Sequence, residues 1–265
     1  MQLSGKVAVV TGAGGGGSGR AIARRIARAG GLVVVSDVND EGGAQTVALI
    51  AQEGGTAIYR RADVQKEEDV RELVAAAQKS FGPVSVMVNN ASGPEYRPDL
   101  PLESWDAIVQ TELLGTMYGI RAAREAMRAR GGGAIVNISS TSALEHGRSR
   151  PGGSPAYDAG KATVLRRTTM LGFLGDTEGI RVNCVVPHWV ASPGPKEYYD
   201  SLTPEQREER GVPAVLITLD AMADAVVRLA TDETLSGRAL ILWGGRKPAL
   251  IQFGDRGYAA LEALP

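Results

Sequence analysis

The stretch Lys6 to Arg20, KVAVVTGAGGGGSGR, constrains the fold of this chain more than any other. Lys6 to Val10 read as a short buried strand and lead into six glycines within eight positions: Gly12, Gly14, Gly15, Gly16, Gly17 and Gly19. The next residues, AIARRIARAG, carry apolar side chains at helical spacing. Strand, glycine turn and helix in that order make a site for a polyphosphate. Glycine lets the backbone turn tightly and come close to a ligand without a Cβ, while the free N–H groups of a helix start face the anion. A Gly-rich linker would lack both flanks, so the context predicts a dinucleotide resting on this turn.

With 265 residues, 43% of them hydrophobic, the chain can bury one large core, and two full domains would be cramped. We therefore read residues 1–265 as a single domain. A net charge of -1 and the absence of basic runs interleaved with aromatics argue against a nucleic-acid surface. No apolar run approaches the about 20 residues that span a bilayer, and no charged-then-apolar leader precedes the first strand. A soluble, cytoplasmic protein is expected. The single cysteine, Cys184, lies in an apolar strand and reads as core packing; with only two histidines, no metal site is expected.

Beyond the first helix, Leu32 to Ser36 reads as a second buried strand, with Asp37 at its tip, 18 residues after Gly19. A carboxylate there can accept hydrogen bonds from both ribose hydroxyls of an adenosine and would repel a 2′-phosphate. Neither Arg nor Lys sits beside Asp37 in the sequence, which favours NAD over NADP. Strands and helices keep alternating: helix 40–53, strand 57–61, helix 67–81, strand 84–88, a long helix 103–130 and strand 134–138. Such alternation predicts a Rossmann-type, doubly wound α/β fold of about seven parallel strands, with ligands at the carboxyl ends of the strands. Polar residues gather there: Asp63 and Val64, Asn89 to Ala91, Ser139 and Ser140. Asp63 could equally cap the next helix, and the asparagines could simply close a turn.

The segment PAYDAGKATVLRRTT, 155–169, reads as a helix with Tyr157 and Lys161 on one face. A phenol, with an ordinary pKa of about 10, is a poor acid or base at neutral pH, but a nearby ammonium stabilises its anion. Lys161 is thus expected to bring Tyr157 toward neutrality, and Ser140 could hydrogen-bond the same substrate oxygen. Together they read as a site for proton-coupled hydride transfer.

Over nearly its whole length the chain resembles the short-chain dehydrogenase/reductase family in its compact form. The matching segments occur in order: TGAGGGGSGR at 11–20, Asp37, DV at 63–64, NNA at 89–91, IVNISS at 135–140, YDAGK at 157–161 and GIRVNCVVP at 179–187. The resemblance implies that Ser140, Tyr157 and Lys161 are the catalytic serine, tyrosine and lysine. It further implies that Gly12, Gly17, Ser18 and Gly19 hold the pyrophosphate of an NAD cofactor, that Asp37 binds ribose, and that Asp63 and Val64 flank the adenine. Asn90 and Ala91 would lie along the cofactor, Lys161 would also touch the nicotinamide ribose, and Pro187 with the backbone of Val190 would meet the carboxamide. A homotetramer or homodimer is the assembly usual in the family.

Several positions depart from the family pattern. The glycine turn is one residue longer, NNAG reads NNAS with Ser92, and the PG after the sixth strand reads Pro187-His188. Glu112 stands where the family carries a catalytic asparagine, so the resemblance places a carboxylate beside Lys161 and adds Glu112 to the candidate catalytic residues, either cancelling part of the ammonium's field at Tyr157 or relaying the proton. The segment between Ser140 and Tyr157 is also extended, by EHGRSRPGG. Substrate-side residues are expected from that insert (His146, Arg148), from Glu95 and Tyr96, and from His188, Trp189 and Tyr198. Residues 189–215 match the family's mobile lid, and the tail after Gly245 has enough apolar residues to pack on a neighbour. These features predict an NAD-dependent oxidoreductase interconverting a secondary alcohol and a ketone. A catalytically impaired dinucleotide-binding protein, or an epimerase or lyase that borrows a hydride, would share the fold.

Overall fold

The strands inside the sheet are short and mostly apolar on both sides, which is what a sheet covered on both faces requires, while the edge strand at 56–61 is half-buried to exposed. In the computed structural model, which describes residues 1–93, 105–144 and 155–254, β1 (Val7–Thr11), β2 (Leu32–Asp37), β3 (Thr56–Arg61), β4 (Val84–Asn89), β5 (Gly133–Ile138), β6 (Ile180–Pro187) and β7 (Ala239–Leu242) all run parallel. A two-residue strand, β8 (Ala249–Leu250), pairs antiparallel with β7. The order across the sheet is β3-β2-β1-β4-β5-β6-β7-β8, so the chain reverses its direction of travel between β1 and β4. A crevice opens at such a switch point, beyond the carboxyl ends of the strands.

The α-helices among the described residues are α1 (Ser18–Arg28), α2 (Asp40–Gln52), α3 (Glu67–Phe81), α4 (Trp105–Val109), α5 (Thr116–Arg128), α6 (Pro155–Met170), α7 (Leu174–Glu178), α8 (Pro193–Asp200), α9 (Pro204–Glu209) and α10 (Leu219–Thr231). Alternate residues of each strand feed two cores. Ala8, Val10, Val33 and Val35 pack with Ile22 and Ile26 of α1 and Met222, Val226 and Leu229 of α10. Val7, Val9 and Val34 pack with Leu73 of α3 and Ile120 and Met127 of α5 on the opposite face. The residue alternation of a strand makes this division unavoidable once both faces are covered.

Three expectations from the sequence need correction. Strand β8 adds an eighth, antiparallel member to the expected parallel sheet, formed by the segment after Gly245 folding back on β7. The long helix expected over 103–130 begins, among the described residues, at Trp105 and is broken by a π-helical turn, Gln110–Gly115. The wider turn coincides with inward-facing Thr111 and Glu112, and Gly115 meets Val64, whose Cγ2 would lie 3.0 Å from any added Cβ. Asp63 does not cap α3: Lys66 is the N-cap, Asp63 Oδ1 accepts from Gln65 N at 3.0 Å, and Asp69 Oδ2 accepts from Asp63 N at 2.9 Å.

Candidate active site

The glycine turn is held by its own tight packing. Gly12 and Gly16 take φ of 65° and 74°, a region other residues rarely enter. A Cβ on Gly12 would lie 2.6 Å from Ala91 Cα, and one on Gly19 would lie 2.1 Å from Gly12 O. Asn90 clamps the turn from the end of β4, its Nδ2 donating to Thr11 O at 3.0 Å and Gly12 O at 3.1 Å. Helix α1 starts from Gly17 with no side-chain cap and no acidic residue in its first turn, so its leading N–H groups suit an anion.

The extra residue in the turn is absorbed on the α2 side. Gly14 N donates to Asp37 Oδ2 at 2.7 Å, and Asn39 N donates to Asp37 Oδ1 at 3.0 Å. A Cβ on Gly42 would lie 2.2 Å from Gly14 O, and one on Gly43 would lie 2.1 Å from Tyr59 Cε2. Gly42 thus gives the turn room on the α2 side, while Gly43 makes room for Tyr59. Arg20 fastens it from beneath, donating to Thr46 Oγ1 at 2.9 Å and to Gly14 O at 3.0 Å. A cavity of about 420 Å³ opens there, lined by Gly14, Gly15, Gly16, Arg20, Asn39 and Gly42. Asp37 sits at the end of β2 beside this cavity with lone pairs remaining for a ribose.

The surroundings of Asp37 differ from the sequence expectation in one respect. Arg61 lies opposite Asp37 in the β2–β3 register, so a cation does stand nearby. It is already engaged, donating to Val38 O and to Asp40 Oδ2, the latter at 3.1 Å. Val64, after β3, packs on the α3–α5 core.

At the other end of the crevice, β5 and α6 bring Ser140, Tyr157 and Lys161 together. Asn89 Nδ2 donates to Asn137 Oδ1 at 2.8 Å and Asn137 Nδ2 to Thr168 Oγ1 at 2.9 Å, a buried chain that ties β4 and β5 to α6. Ser139 Oγ donates to Lys161 O at 2.8 Å, and Lys161 Nζ donates to Ile138 O at 3.0 Å. The ammonium lies 5.3 Å from the Tyr157 ring centroid, and Ser140 hydrogen-bonds the phenol.

Glu112 enters this site from the π turn. Its Oε2 lies 2.6 Å from Lys161 Nζ, an ion pair that is the only contact of that oxygen among the described residues. Oε1 accepts from Gly93 N at 3.0 Å and from Ser92 Oγ. Lys161 is held above its ordinary value: burial pulls the ammonium down, but Glu112 and then Tyr157 more than restore it. Tyr157 behaves contrary to the sequence expectation. Part of its surface is open to the crevice, yet crowding around the hydroxyl pushes its pKa up, and Glu112 and Asp158 push the same way. Lys161 and Ser140 pull down and do not prevail.

Pro187 ends β6, buried, and His188 and Trp189 follow it at the crevice. Both are committed to aromatic partners: His188 lies 4.5 Å from the Trp243 ring, and Trp189 stacks on Tyr198 at 6.0 Å. Val190 bridges Ile217, and the chain then enters α8 against the glycine turn, where a Cβ on Gly17 would lie 3.3 Å from Ser192 Cβ. The expected lid therefore carries two short helices, α8 and α9, and its first residues reach the turn. His146, Arg148, Glu95 and Tyr96 lie outside the described residues. A larger cavity, about 670 Å³, lies between α6 and the β7–β8 edge; none of Glu112, Ser140, Tyr157 or Lys161 lines it, and we do not read it as the reaction site.

Sequence reasoning missed Arg20, Thr11 and the Asn89–Asn137–Thr168 chain. Thr11 Oγ1 accepts from the backbone N of Asn90 at 3.1 Å and of Ala91 at 3.2 Å, joining β1 to the loop after β4. Only pairing of distant strands reveals that contact. Ser92 was visible as a departure, but its partner was not. Among the described residues no group of three His, Cys, Asp or Glu could hold a metal, and no helix is long and apolar enough to cross a membrane.

Residues 6–202 match the family described as short chain dehydrogenase. An uncharacterized oxidoreductase of Thermotoga maritima is 33% identical, covering 94% of this chain and 99% of its own. The L-rhamnose 1-dehydrogenase (NAD(P)(+)) of Azotobacter vinelandii is 37% identical, covering 92% and 98%. Among solved structures, a short-chain alcohol dehydrogenase assigned in Sinorhizobium meliloti superposes with a TM-score of 0.80 at 30% identity, covering 91% of this chain and 95% of that one. The chain belongs to the short-chain dehydrogenase/reductase family, whose members of this kind are oxidoreductases acting on alcohol groups.

Proposed function

We propose that the protein is an NAD-dependent oxidoreductase interconverting a secondary alcohol and a ketone. The observation that carries this reading is the convergence of Ser140, Tyr157 and Lys161 at the carboxyl end of β5, across the crevice from an uncapped, glycine-lined helix start. The residues present fit a dinucleotide: the turn leaves no room for a Cβ at Gly12, Gly14 or Gly19, and Asp37 accepts from the backbone of Gly14 and Asn39, which line the adjoining cavity. Gly12, Gly17, Ser18 and Gly19 would hold the pyrophosphate, Asp37 the ribose, and Lys161 the second ribose. Asp63, Val64, Asn90, Ala91, Pro187 and Val190 would border the rest.

When bound, NAD supplies the hydride acceptor and a positive charge. The chain's own part is proton transfer. In oxidation the Tyr157 phenolate takes the hydroxyl proton of the alcohol as the ketone forms; in reduction the phenol returns it to the carbonyl oxygen. Ser140 orients and polarises that oxygen. Preference for NAD over NADP rests on Asp37, because a 2′-phosphate would meet its carboxylate while Arg20 and Arg61 are tied to carbonyls, Thr46 and Asp40. His188 and Trp189 stand where a substrate would enter. A homo-oligomer belongs to the same reading, supported by Met170, Phe173 and Phe253, which are 62%, 56% and 67% exposed; light scattering tests it.

The test is to measure NAD and NADP binding on one preparation and to screen a panel of secondary alcohols by NADH absorbance on the same preparation. Tight NAD binding with turnover supports the reading. Binding without turnover across the panel favours an impaired dinucleotide-binding protein, and equal affinity for NADP removes the cofactor assignment.

A further inference from the structure

Two positions that depart from the family pattern in sequence, Ser92 and Glu112, meet in space. Glu112 is 1% exposed and is fixed from three directions. From the loop after β4, Ser92 Oγ and Gly93 N donate to Oε1. From α6, Lys161 Nζ stands 2.6 Å from Oε2. Gly160, one residue before Lys161, supplies the space, since a Cβ there would lie 2.8 Å from Glu112 Cβ. A buried ion pair is a poor device for stability alone, because each charge loses its hydration and the pair recovers this only with good geometry and added hydrogen bonds. Ser92 is itself exposed, so its hydroxyl fills no core space; what it contributes is a donor to the carboxylate.

We propose that Ser92 and Glu112 are positioning residues for the reaction inferred above. Held by Ser92, the Glu112 carboxylate is the standing counter-ion of Lys161 and cancels part of the ammonium's field at the Tyr157 hydroxyl. The site then works at higher pH than one with a neutral side chain at position 112. The groups that face Tyr157 among the described residues are Lys161 and Asp158 from α6, Glu112 from the π turn and Ser140 after β5. Burial around the hydroxyl is the largest influence on the phenol, and Lys161 is the one cation in that set, so what pairs with Lys161 sets how far its field offsets that burial. Both directions agree: Glu112 raises Lys161 and raises Tyr157, as a carboxylate near both does.

The inference rests on the dehydrogenase reading, but its test needs neither cofactor nor substrate. The titration of Tyr157 is followed by tyrosinate absorbance in the cofactor-free protein and assigned by the signal lost in Tyr157→Phe. Glu112→Gln is expected to move this titration to lower pH by about 1 unit. Ser92→Ala is expected to move it the same way by less, and to move nothing in the Glu112→Gln background. An unchanged or upward shift in Glu112→Gln overturns the proposal. Equal shifts from Ser92→Ala in both backgrounds remove Ser92 from it. Glu112→Asn serves in the same roles should Glu112→Gln not fold. Failure of turnover in the alcohol panel with the expected titration shifts would fault the dehydrogenase reading and leave the electrostatic claim standing.

Discussion

At the β2 end of the crevice, Asp37 accepts hydrogen bonds from two backbone N–H groups, and the nearby Arg20 and Arg61 are satisfied largely by carbonyls, all at a partly open surface. At the α6 end, Glu112 and Lys161 are sealed together with side chains 1% and 4% exposed, their charges paired through one carboxylate oxygen and the ammonium. The difference shows why the chain tolerates an extra glycine at one end. Backbone contacts and missing Cβ atoms can be rearranged around a longer turn, provided the facing helix also yields space, as Gly42 does. A buried pair has no such slack, because removing one partner leaves the other charged and dehydrated.

Breaking the α6 end should therefore have the largest effect. Lys161→Ala is expected to lose turnover and NAD affinity together and to destabilise the fold by roughly 3–5 kcal/mol, read by denaturant unfolding, since Glu112 is left buried without its counter-ion. A Lys161→Ala protein of wild-type stability would show that the pair is not desolvated as described.

At the β2 end, Asp37→Ala is expected to weaken NAD binding roughly 10- to 100-fold, the range of one or two hydrogen bonds to a charged acceptor, and to narrow the gap to NADP. Calorimetric titration with both dinucleotides reads this. An unchanged ratio would mean that Asp37 serves only Gly14 and Asn39.

Alkaline pH separates the two ends in a third way. Tyr157 and Lys161 are both raised in the fold, from ordinary values of 10.0 and 10.5. Above those values the unfolded chain has released protons that the folded chain still holds, so their contribution is fully present below about pH 10 and is lost as pH rises through the folded values. Stability should fall on the alkaline side, and less steeply in Tyr157→Phe.

The smallest effects belong to the turn itself. Gly43→Ala, driven into Tyr59, is expected to cost about 1–3 kcal/mol. Gly15→Ala, with no atom within 4 Å of the added Cβ, should leave stability within about 0.5 kcal/mol. Comparable losses at both positions would contradict the tight packing of α2 on Tyr59 and the open space beside Gly15.

The sequence made the sheet, the glycine turn and the Tyr157–Lys161 face legible because each rests on local periodicity or on adjacent residues. The ordered family motifs carried the rest of the candidate site. What stayed hidden depends on distant segments meeting. Arg61 comes to lie opposite Asp37 only through strand register. The π turn that turns Glu112 inward follows no signal in WDAIVQTELLG, whose spacing suits an unbroken helix. The phenol's direction is not legible in the sequence because spacing reveals the ammonium, and the family pattern the carboxylate beside it, but neither reveals the desolvation around the hydroxyl.

The central claim is that Tyr157 carries the proton in an NAD-dependent alcohol oxidation. Its most direct test is NADH formation by wild type and Tyr157→Phe on one verified substrate, with NAD affinity measured for both. The account predicts that turnover is abolished in Tyr157→Phe, while NAD affinity stays within a few fold because the dinucleotide is held by the turn, Asp37 and Lys161. Near wild-type turnover in Tyr157→Phe would contradict it.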